Sequence, residues 1–556
     1  MDTAQQSTQK TYNDLQEHLA ELEKAGLIYN IDRLINKDTE MHPLVRWQFQ
    51  GGIKQEMRKG FLFRNITDGK GCTFPGYQVA IGVLSSSPAI YSIGMNKPVD
   101  IIGETWIKAI NNPIPTREVE KAVCQEIVLT GEEVNGNGKG MEAIPIPVST
   151  PGFDVAPYLT AALWITKDPE TGVQNMGLYR GNLKSSNRIC VMTERTTLAG
   201  AYVHWKSYKR LGKKMPVAIV LGAPPIVEYT GPQKLPLGVD ELTVAGALAG
   251  GPINVVKCKT VDLLVPAEAN VILEGYIDTE YLEPEGPFGE SHGYMQVEEY
   301  NFIVKIEAIT KRKDAIITSI ISQITPSESS VIKRLAYEPL FLSHLRDHLN
   351  IKGVKRVVMH EPLTNLRKVV TVVVDRALPK TEVWRALEGL ASLQPAVGKI
   401  CIAVNDDIDP DNANALLWAI SYRCNPITDV HITPNRSPGH APHTDGPKIE
   451  STMFIDATLK VDFPPVALPK KEFMENARAI WEELKLPELS PQFPWHGYSL
   501  GYWCDTWEEC AKLAAQSDWL ENGKRTENAK QKLPEPQTTI SLDEAASIGI
   551  SKSKSE

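Results

Sequence analysis

The sequence predicts an α+β chain in which a central β-barrel domain lies between two α/β units, the second of them reached through one long helix. Three observations predict it. Residues 144–313 break into short β-rich runs with turn signals between them, such as ALWITKD, PVAIVLGAPP, INVVKCKTVDLLVPA, NVILEGYID and NFIVKIEAIT. That spacing suits a barrel or sandwich better than a doubly wound sheet. After them SESSVIKRLAYEPLFLSHLRDHLN reads as one helix, with Ser327 as its N-cap. Beyond Lys352, strand-like VKRVVMH, KVVTVVVD and KICIAVND alternate with helical TEVWRALEGLASL and NANALLWAISYR, the pattern of an α/β unit.

The remaining elements follow in order. Leu15, Leu19 and Leu22 recur at helical spacing in residues 11–25, and Gly26 is placed to end that helix. Strand-like FLFRNI and YQVAIGVL come next, and then an acidic helix is predicted around residues 118–128. The stretch GEEVNGNGKG contains G-x-G-x-G, yet no strong strand leads into it and no Lys-Ser/Thr follows, so it reads as a surface loop. Near the other end, KEFMENARAIWEELK places Phe473, Ala477, Ile480, Trp481 and Leu484 on one helical face, and a further helix is expected over residues 507–515. From about Glu521 the composition turns polar and no order is expected. Domains are therefore expected at 1–125, 126–320 and 351–520, with the linker helix at 321–350 and a disordered tail at 521–556.

Composition excludes some functions. A chain of 556 residues with 42% apolar residues can bury two to four packed domains. Its 59 Lys and Arg against 68 Asp and Glu leave a net charge of -9, which weighs against a nucleic-acid partner. Cys72, Cys124, Cys190, Cys258, Cys401, Cys424, Cys504 and Cys510 show no CxxC spacing, which argues against a zinc ribbon or a disulfide framework and points to a reducing compartment. The first residues lack the apolar core of a signal peptide, and no apolar run approaches the ~20 residues needed to span a bilayer. A cytoplasmic protein without a membrane partner is expected.

Two segments carry chemistry. In ITKDPETGVQNMGLYRGN a polar turn delivers Asn175 and Arg180 five residues apart beside the strand ALWIT. The arginine is permanently cationic, and its fork matches a carboxylate or phosphate. In EPEGPFGESHGY, Glu285 and Glu290 are also five apart, and Gly and Pro between them fix the backbone where a flexible loop would let the acids swing into water. Two acids beside one arginine can be driven to different protonation states, a general acid/base arrangement. The same pattern also suits a structural turn with surface acids and a buried Arg–Glu tie.

Taken together, TKDPETGVQNMGLYR, EGPFGESHGY and ESTMFIDAT, in this order over residues 60–503, resemble the UbiD family of reversible aromatic and α,β-unsaturated acid decarboxylases. The resemblance implies a flavin-reductase-like split β-barrel that holds prenylated FMN, and a C-terminal α/β oligomerisation domain. It implies Mn²⁺ (or Mg²⁺ or Fe²⁺) with K⁺ at the cofactor phosphate, a flavin prenyltransferase as the source of the cofactor, and a homodimer or homohexamer. By position the catalytic residues are Arg180, Glu285 and Glu290, with Glu290 moving the proton. Cofactor contacts fall on Asn175, Met176, Gly177, Leu178, Tyr179, Arg180 and Glu241. Asn175 and Glu241 match metal ligands, both being hard oxygen donors. The third ligand is His204 or Glu194, because CVMTERTTLAGAYVHWKSY departs from the family's histidine spacing, and a histidine beside a tryptophan is as often a packed core residue.

The implied function is non-oxidative decarboxylation of an aromatic or heteroaromatic acid, free or as an aryl-CoA thioester such as phthaloyl-CoA. Loss of CO₂ from an sp² carbon leaves a carbanion that no side chain can stabilise, so a cofactor must supply the electron sink. A silent assembly subunit would be expected to lose one of the three central residues, and all three are present. A flavin oxidoreductase would need a dinucleotide fingerprint, which is absent. Two lesser features remain. His440 and His443 in SPGHAPHTDG are expected to sit in a loop. Lys206, Lys209, Arg210, Lys213 and Lys214 are expected to form a solvated helix face, or alternatively a cationic rim for coenzyme A phosphates.

Overall fold

Apolar residues at every position of MPVAIVL require burial on both faces of its strand, and the strand Met215–Leu221 is buried throughout. Met215, Val217, Ile219 and Leu221 enter one core, while Ala218 and Val220 enter the other. This strand lies inside a nine-stranded sheet of the computed structural model, which describes residues 10–193, 199–233, 235–236, 238–437, 449–490 and 504–528. The strand order is Gln174–Leu178, Leu163–Lys167, Met215–Leu221, Val271–Glu285, Glu299–Lys311, Arg188–Val191, Gly181–Ser185 and Tyr158–Leu159, with Ile127–Thr130 added alongside Glu299–Lys311. Every pairing in it is antiparallel.

Connectivity dictates the shape. Gln174–Leu178 and Gly181–Ser185 stand six strand positions apart in this order, about 29 Å if the sheet were flat. Yet only Tyr179 and Arg180 join them, a link of at most about 11 Å. The sheet therefore curls into a half-barrel, and Arg180 sits at the seam where its two edges approach.

Three helices interrupt the strands: Gly200–Arg210, Pro225–Thr230 and Glu241–Ala249. Of these only the first was expected, as the helix face of the basic run that begins at Lys206. ELTVAGALA is buried on most sides and so lacks the amphipathic period that marks a surface helix. Its start is set by Asp240, whose side chain accepts from Leu242 N at 2.9 Å. The acidic helix predicted around residues 118–128 does not form. Arg117–Glu118 pairs in parallel with Asn254–Val255, and Ile127–Thr130 joins the barrel, so long-range strand pairing overrides local helix propensity there.

The amino-terminal sheet orders Ile28–Ile31, Gly60–Phe63, Tyr77–Ile81 and Ala315–Ser319, so its fourth strand arrives from beyond the barrel. Helix Leu15–Lys24 buries Leu15, Leu19 and Leu22, and begins with a capping box between Asp14 and Glu17. Helix Glu328–Ser343 is capped by Ser327, whose hydroxyl accepts from Ser330 N at 3.3 Å, and it continues as a π turn over His344–His348. A five-stranded mixed sheet follows, in the order Val354–Met359, Val369–Val374, Ile400–Asn405, Glu450–Asp456 and Val430–Arg436, with helices Lys380–Leu393 and Ala413–Arg423 between its strands.

These elements belong to one compact unit, Met1–Thr458; Leu459–Glu556 forms a second. In the second unit Lys471–Glu483 and Asp505–Ala515 are helical, as expected, but neither buries a residue. Trp519–Asn528 is also helical, where polar composition predicted no order. Residues beyond Asn528, and His440 and His443, lie outside the described residues. Among the described residues no helix is long and apolar enough to cross a membrane.

One buried acid makes stability depend on pH. Glu228 is fully enclosed, and burial pushes its carboxyl up to about 8 against the opposing bonds from Ala223 N and the Thr318 hydroxyl. A folded-state value above the unfolded one means that this contribution is complete below the unfolded value of about 4.3 and is lost as pH rises through about 8. Glu228→Gln is therefore expected to flatten the fall of Tm between pH 6 and 9, read by calorimetry. An unchanged slope would assign that fall to other groups.

Candidate active site

The seam of the half-barrel brings the predicted residues together. Trp164 Nε1 donates to the Tyr179 carbonyl at 2.8 Å and Met192 N donates to the Arg180 carbonyl at 3.2 Å, which pins the two-residue link. From it the Arg180 side chain reaches Glu285, with Nε to Oε1 at 2.9 Å and Nη2 to Oε2 at 2.7 Å. Its Nη1 donates to Glu290 Oε1. One guanidinium thus holds one acid by a bidentate pair and the other by a single bond. Burial alone would lower the arginine's pKa, but the Glu285 and Glu290 carboxylates beside it lift it above the usual range. Arg180 is permanently cationic here.

The loop between the acids is fixed by backbone chemistry. Gly286 has φ +106°, where an L side chain is strained, and an added Cβ would lie 3.1 Å from Glu298 Cα and the Val297 carbonyl. Glu290 N donates to the Tyr294 carbonyl at 3.0 Å, and its own carbonyl accepts from Gly293 N at 3.0 Å and Ile324 N at 3.2 Å. The two acids end in different surroundings. The Glu285 side chain is 0% exposed and that of Glu290 is 18% exposed.

Other polar groups border them without having been foreseen. Asp154 accepts from Thr150 N at 2.6 Å, and burial pushes its carboxyl up to about 6, opposed by the Thr150 and Ser149 amides and by Arg46 and Arg180. Arg46 donates through Nη2 to the Ser149 carbonyl and to Thr150 Oγ1, both at 3.0 Å. The Tyr158 and Phe288 rings meet at 4.3 Å between centroids with their planes tilted by 42°, and the Phe288 centroid is 5.1 Å from Arg180 Cζ. Arg46 lies on an ordinary amphipathic helix and Asp154 in a short turn, so neither carried a local signal.

The expected metal ligands occupy one neighbourhood. Asn175 pairs across the strands with Thr166, whose hydroxyl lies 2.9 Å from His204 Nδ1. Helix Gly200–Arg210 carries His204 and abuts Asn175: a Cβ on Gly200 would lie 1.9 Å from Asn175 Oδ1. Glu241 accepts from Met176 N at 2.7 Å, and burial pushes its carboxyl up to about 8 against that bond. Among the described residues Asn175 Nδ2 is buried without a hydrogen-bond partner. An amide flip would turn its carbonyl oxygen to the same place, so the donor set fits a hard cation. No cluster of three His, Cys, Asp or Glu capable of holding a metal occurs among the described residues, so a cation here has to draw on the asparagine. Burial lowers the His204 pKa, with Asp168 opposing. Glu194 lies outside the described residues.

Ala199 makes no side-chain cap bond, and the Ala201 amide in the first turn of helix Gly200–Arg210 bonds the Tyr179 side chain. Met176, Gly177 and Leu178 lie on the strand Gln174–Leu178, and Tyr179 links it to Arg180. The basic run behaves as a solvated face: Lys206, Lys209, Arg210, Lys213 and Lys214 are exposed, Lys209 donates to the Thr279 carbonyl and Arg210 pairs with Glu170.

Comparisons with known proteins agree with this architecture. The model of the UbiD family's 3-octaprenyl-4-hydroxybenzoate carboxy-lyase Rift-related domain matches residues 117–324, and that of its C-terminal domain matches residues 331–457. An uncharacterized protein of Synechocystis sp. is 28% identical over 517 residues, covering 88% of this chain and 96% of the relative. The UbiD-class enzyme HmfF from Pelotomaculum thermopropionicum, in an evolved dimeric form in complex with prFMN, superposes with TM-score 0.69 at 27% identity, covering 82% of this chain and 97% of that one. The same enzyme in complex with FMN gives TM-score 0.73 at 25% identity, covering 84% and 100%. With the two domain models spanning more than half of its length, the chain belongs to the UbiD family of carboxy-lyases.

Proposed function

We propose that the protein decarboxylates an aromatic or heteroaromatic acid with prenylated FMN, taking the substrate as a free acid or a CoA thioester, and that Glu290 moves the proton. The observation that carries this reading is the convergence of Arg180, Glu285 and Glu290 at the seam of the half-barrel. Asn175 and Glu241, with His204 or Glu194, would hold the divalent cation, Mn²⁺ (or Mg²⁺ or Fe²⁺), with K⁺ beside it at the cofactor phosphate. Prenylated FMN supplies the electron sink that the reaction requires.

The chain's own residues do the rest. Glu285, buried and doubly bonded, fixes the arginine. Glu290 is held by one bond and is the only one of the two acids that solvent reaches, so it can take up and deliver a proton. Enclosure of the guanidinium strengthens each of these interactions. The test is co-expression with a flavin prenyltransferase, an absorption spectrum of the purified protein, and CO₂ release across aromatic acids and their CoA thioesters. Release from one class supports the reading, and a fully modified enzyme inert across the panel overturns it.

Gly200→Ala probes the phosphate end. The new methyl must displace the Asn175 side chain, so the affinity for FMN is expected to fall about tenfold, read by fluorescence titration. Unchanged affinity would remove Asn175 from the cofactor site.

A further inference from the structure

Phe288 lies between the two acids in sequence and against the arginine that joins them in space. Its side chain is 3% exposed. Its ring faces the guanidinium at 5.1 Å and meets Tyr158 at 4.3 Å with the planes tilted by 42°. Tyr158 is itself fully buried, and its hydroxyl donates to the Pro287 carbonyl at 3.3 Å, which ties down the residue before Phe288. Burial and the Glu285 charge push the tyrosine's pKa up, so it stays a donor. Tyr158 in turn pairs across the sheet with Asn182, two residues after Arg180. Tyr158 therefore hangs on backbone that flanks the arginine, and Phe288 is joined to it through the Pro287 carbonyl.

A guanidinium can serve two acids only in one plane. With Nε and Nη2 on Glu285, a tilt of the fork costs the single bond to Glu290 first, because that acid is singly held and partly exposed. A flat aromatic face on the guanidinium resists that tilt by cation–π attraction and keeps water away. We propose that Phe288, backed by Tyr158, is a positioning residue of the decarboxylation: it holds Arg180 in the plane that serves Glu285 and Glu290 together. The proposal rests on the decarboxylase reading for its kinetic consequence but not for its geometry.

Phe288→Leu keeps apolar bulk and removes the ring face. The direct readout is labelling of Arg180 by phenylglyoxal, followed by mass spectrometry on the folded protein without substrate. Labelling of Arg180 is expected to rise about fivefold or more in Phe288→Leu, while other arginines keep their rates. In turnover, kcat is expected to fall about tenfold with KM changed less than about twofold, because the acids lose alignment and not the substrate site. Tyr158→Phe keeps the paired rings and removes the hydroxyl, which tethers the Pro287 carbonyl and also bonds the Glu285 side chain, so its labelling is expected to rise about two- to threefold. It supplies the test should Phe288→Leu fail to fold. Wild-type labelling of Arg180 in the folded variants would overturn the proposal, as would a loss of kcat without any change in labelling. Because labelling needs neither cofactor nor substrate, failure of the substrate panel leaves this test intact.

Discussion

Glu290→Gln is expected to lower the rate of CO₂ release by about 10²–10⁴-fold, the usual contribution of a positioned general acid or base. The amide has the same shape, and its carbonyl oxygen can still accept from Arg180 Nη1, so the fork and the loop should survive. The loop is held by backbone bonds to Tyr294, Gly293 and Ile324 that do not involve the side chain. What the amide cannot do is give up and recover a proton. KM should therefore move little while kcat falls, the pattern of a group acting on the chemical step. Solvent deuterium incorporation into the product should slow in parallel. Wild-type turnover and exchange in Glu290→Gln would remove the residue from the proton path.

Arg180→Ala is expected to harm stability as well as rate. It leaves Glu285 buried, with 0% side-chain exposure, and without the cation that compensates its charge. Breaking a buried pair from one side costs about 3–5 kcal/mol, because the abandoned charge keeps its desolvation penalty. Combining it with Glu285→Gln removes that charge and should recover most of the lost stability by denaturant titration, yet activity should stay lost in both variants. Equal stability of the single and double variants would contradict a buried, compensated pair.

The contrast between what could and could not be read from the sequence has physical causes. Arg180, Glu285 and Glu290 were legible because Gly and Pro bracket the acids and a polar turn delivers the arginine, signals confined to a few neighbouring residues. Strands such as MPVAIVL were legible for the same reason. The helix expected at residues 118–128 failed because its partners, Asn254–Val255 and Glu299–Lys311, lie more than a hundred residues away. Ala315–Ser319 likewise joins a sheet begun at Ile28. Arg46, Asp154 and Tyr158 escaped notice because only tertiary packing gives them their positions, and helix Glu241–Ala249 because burial on most sides erases its period.

The account turns on Arg180, Glu285 and Glu290 acting on a carboxyl group over a bound flavin. Single-turnover release of CO₂ from the active aromatic acid, followed in the prenylated wild-type enzyme and in prenylated Glu290→Gln, tests this most directly. The account predicts a stoichiometric burst in the wild type and, in the variant, product formation slowed by about two orders of magnitude or more. Equal rates in the two enzymes would contradict it.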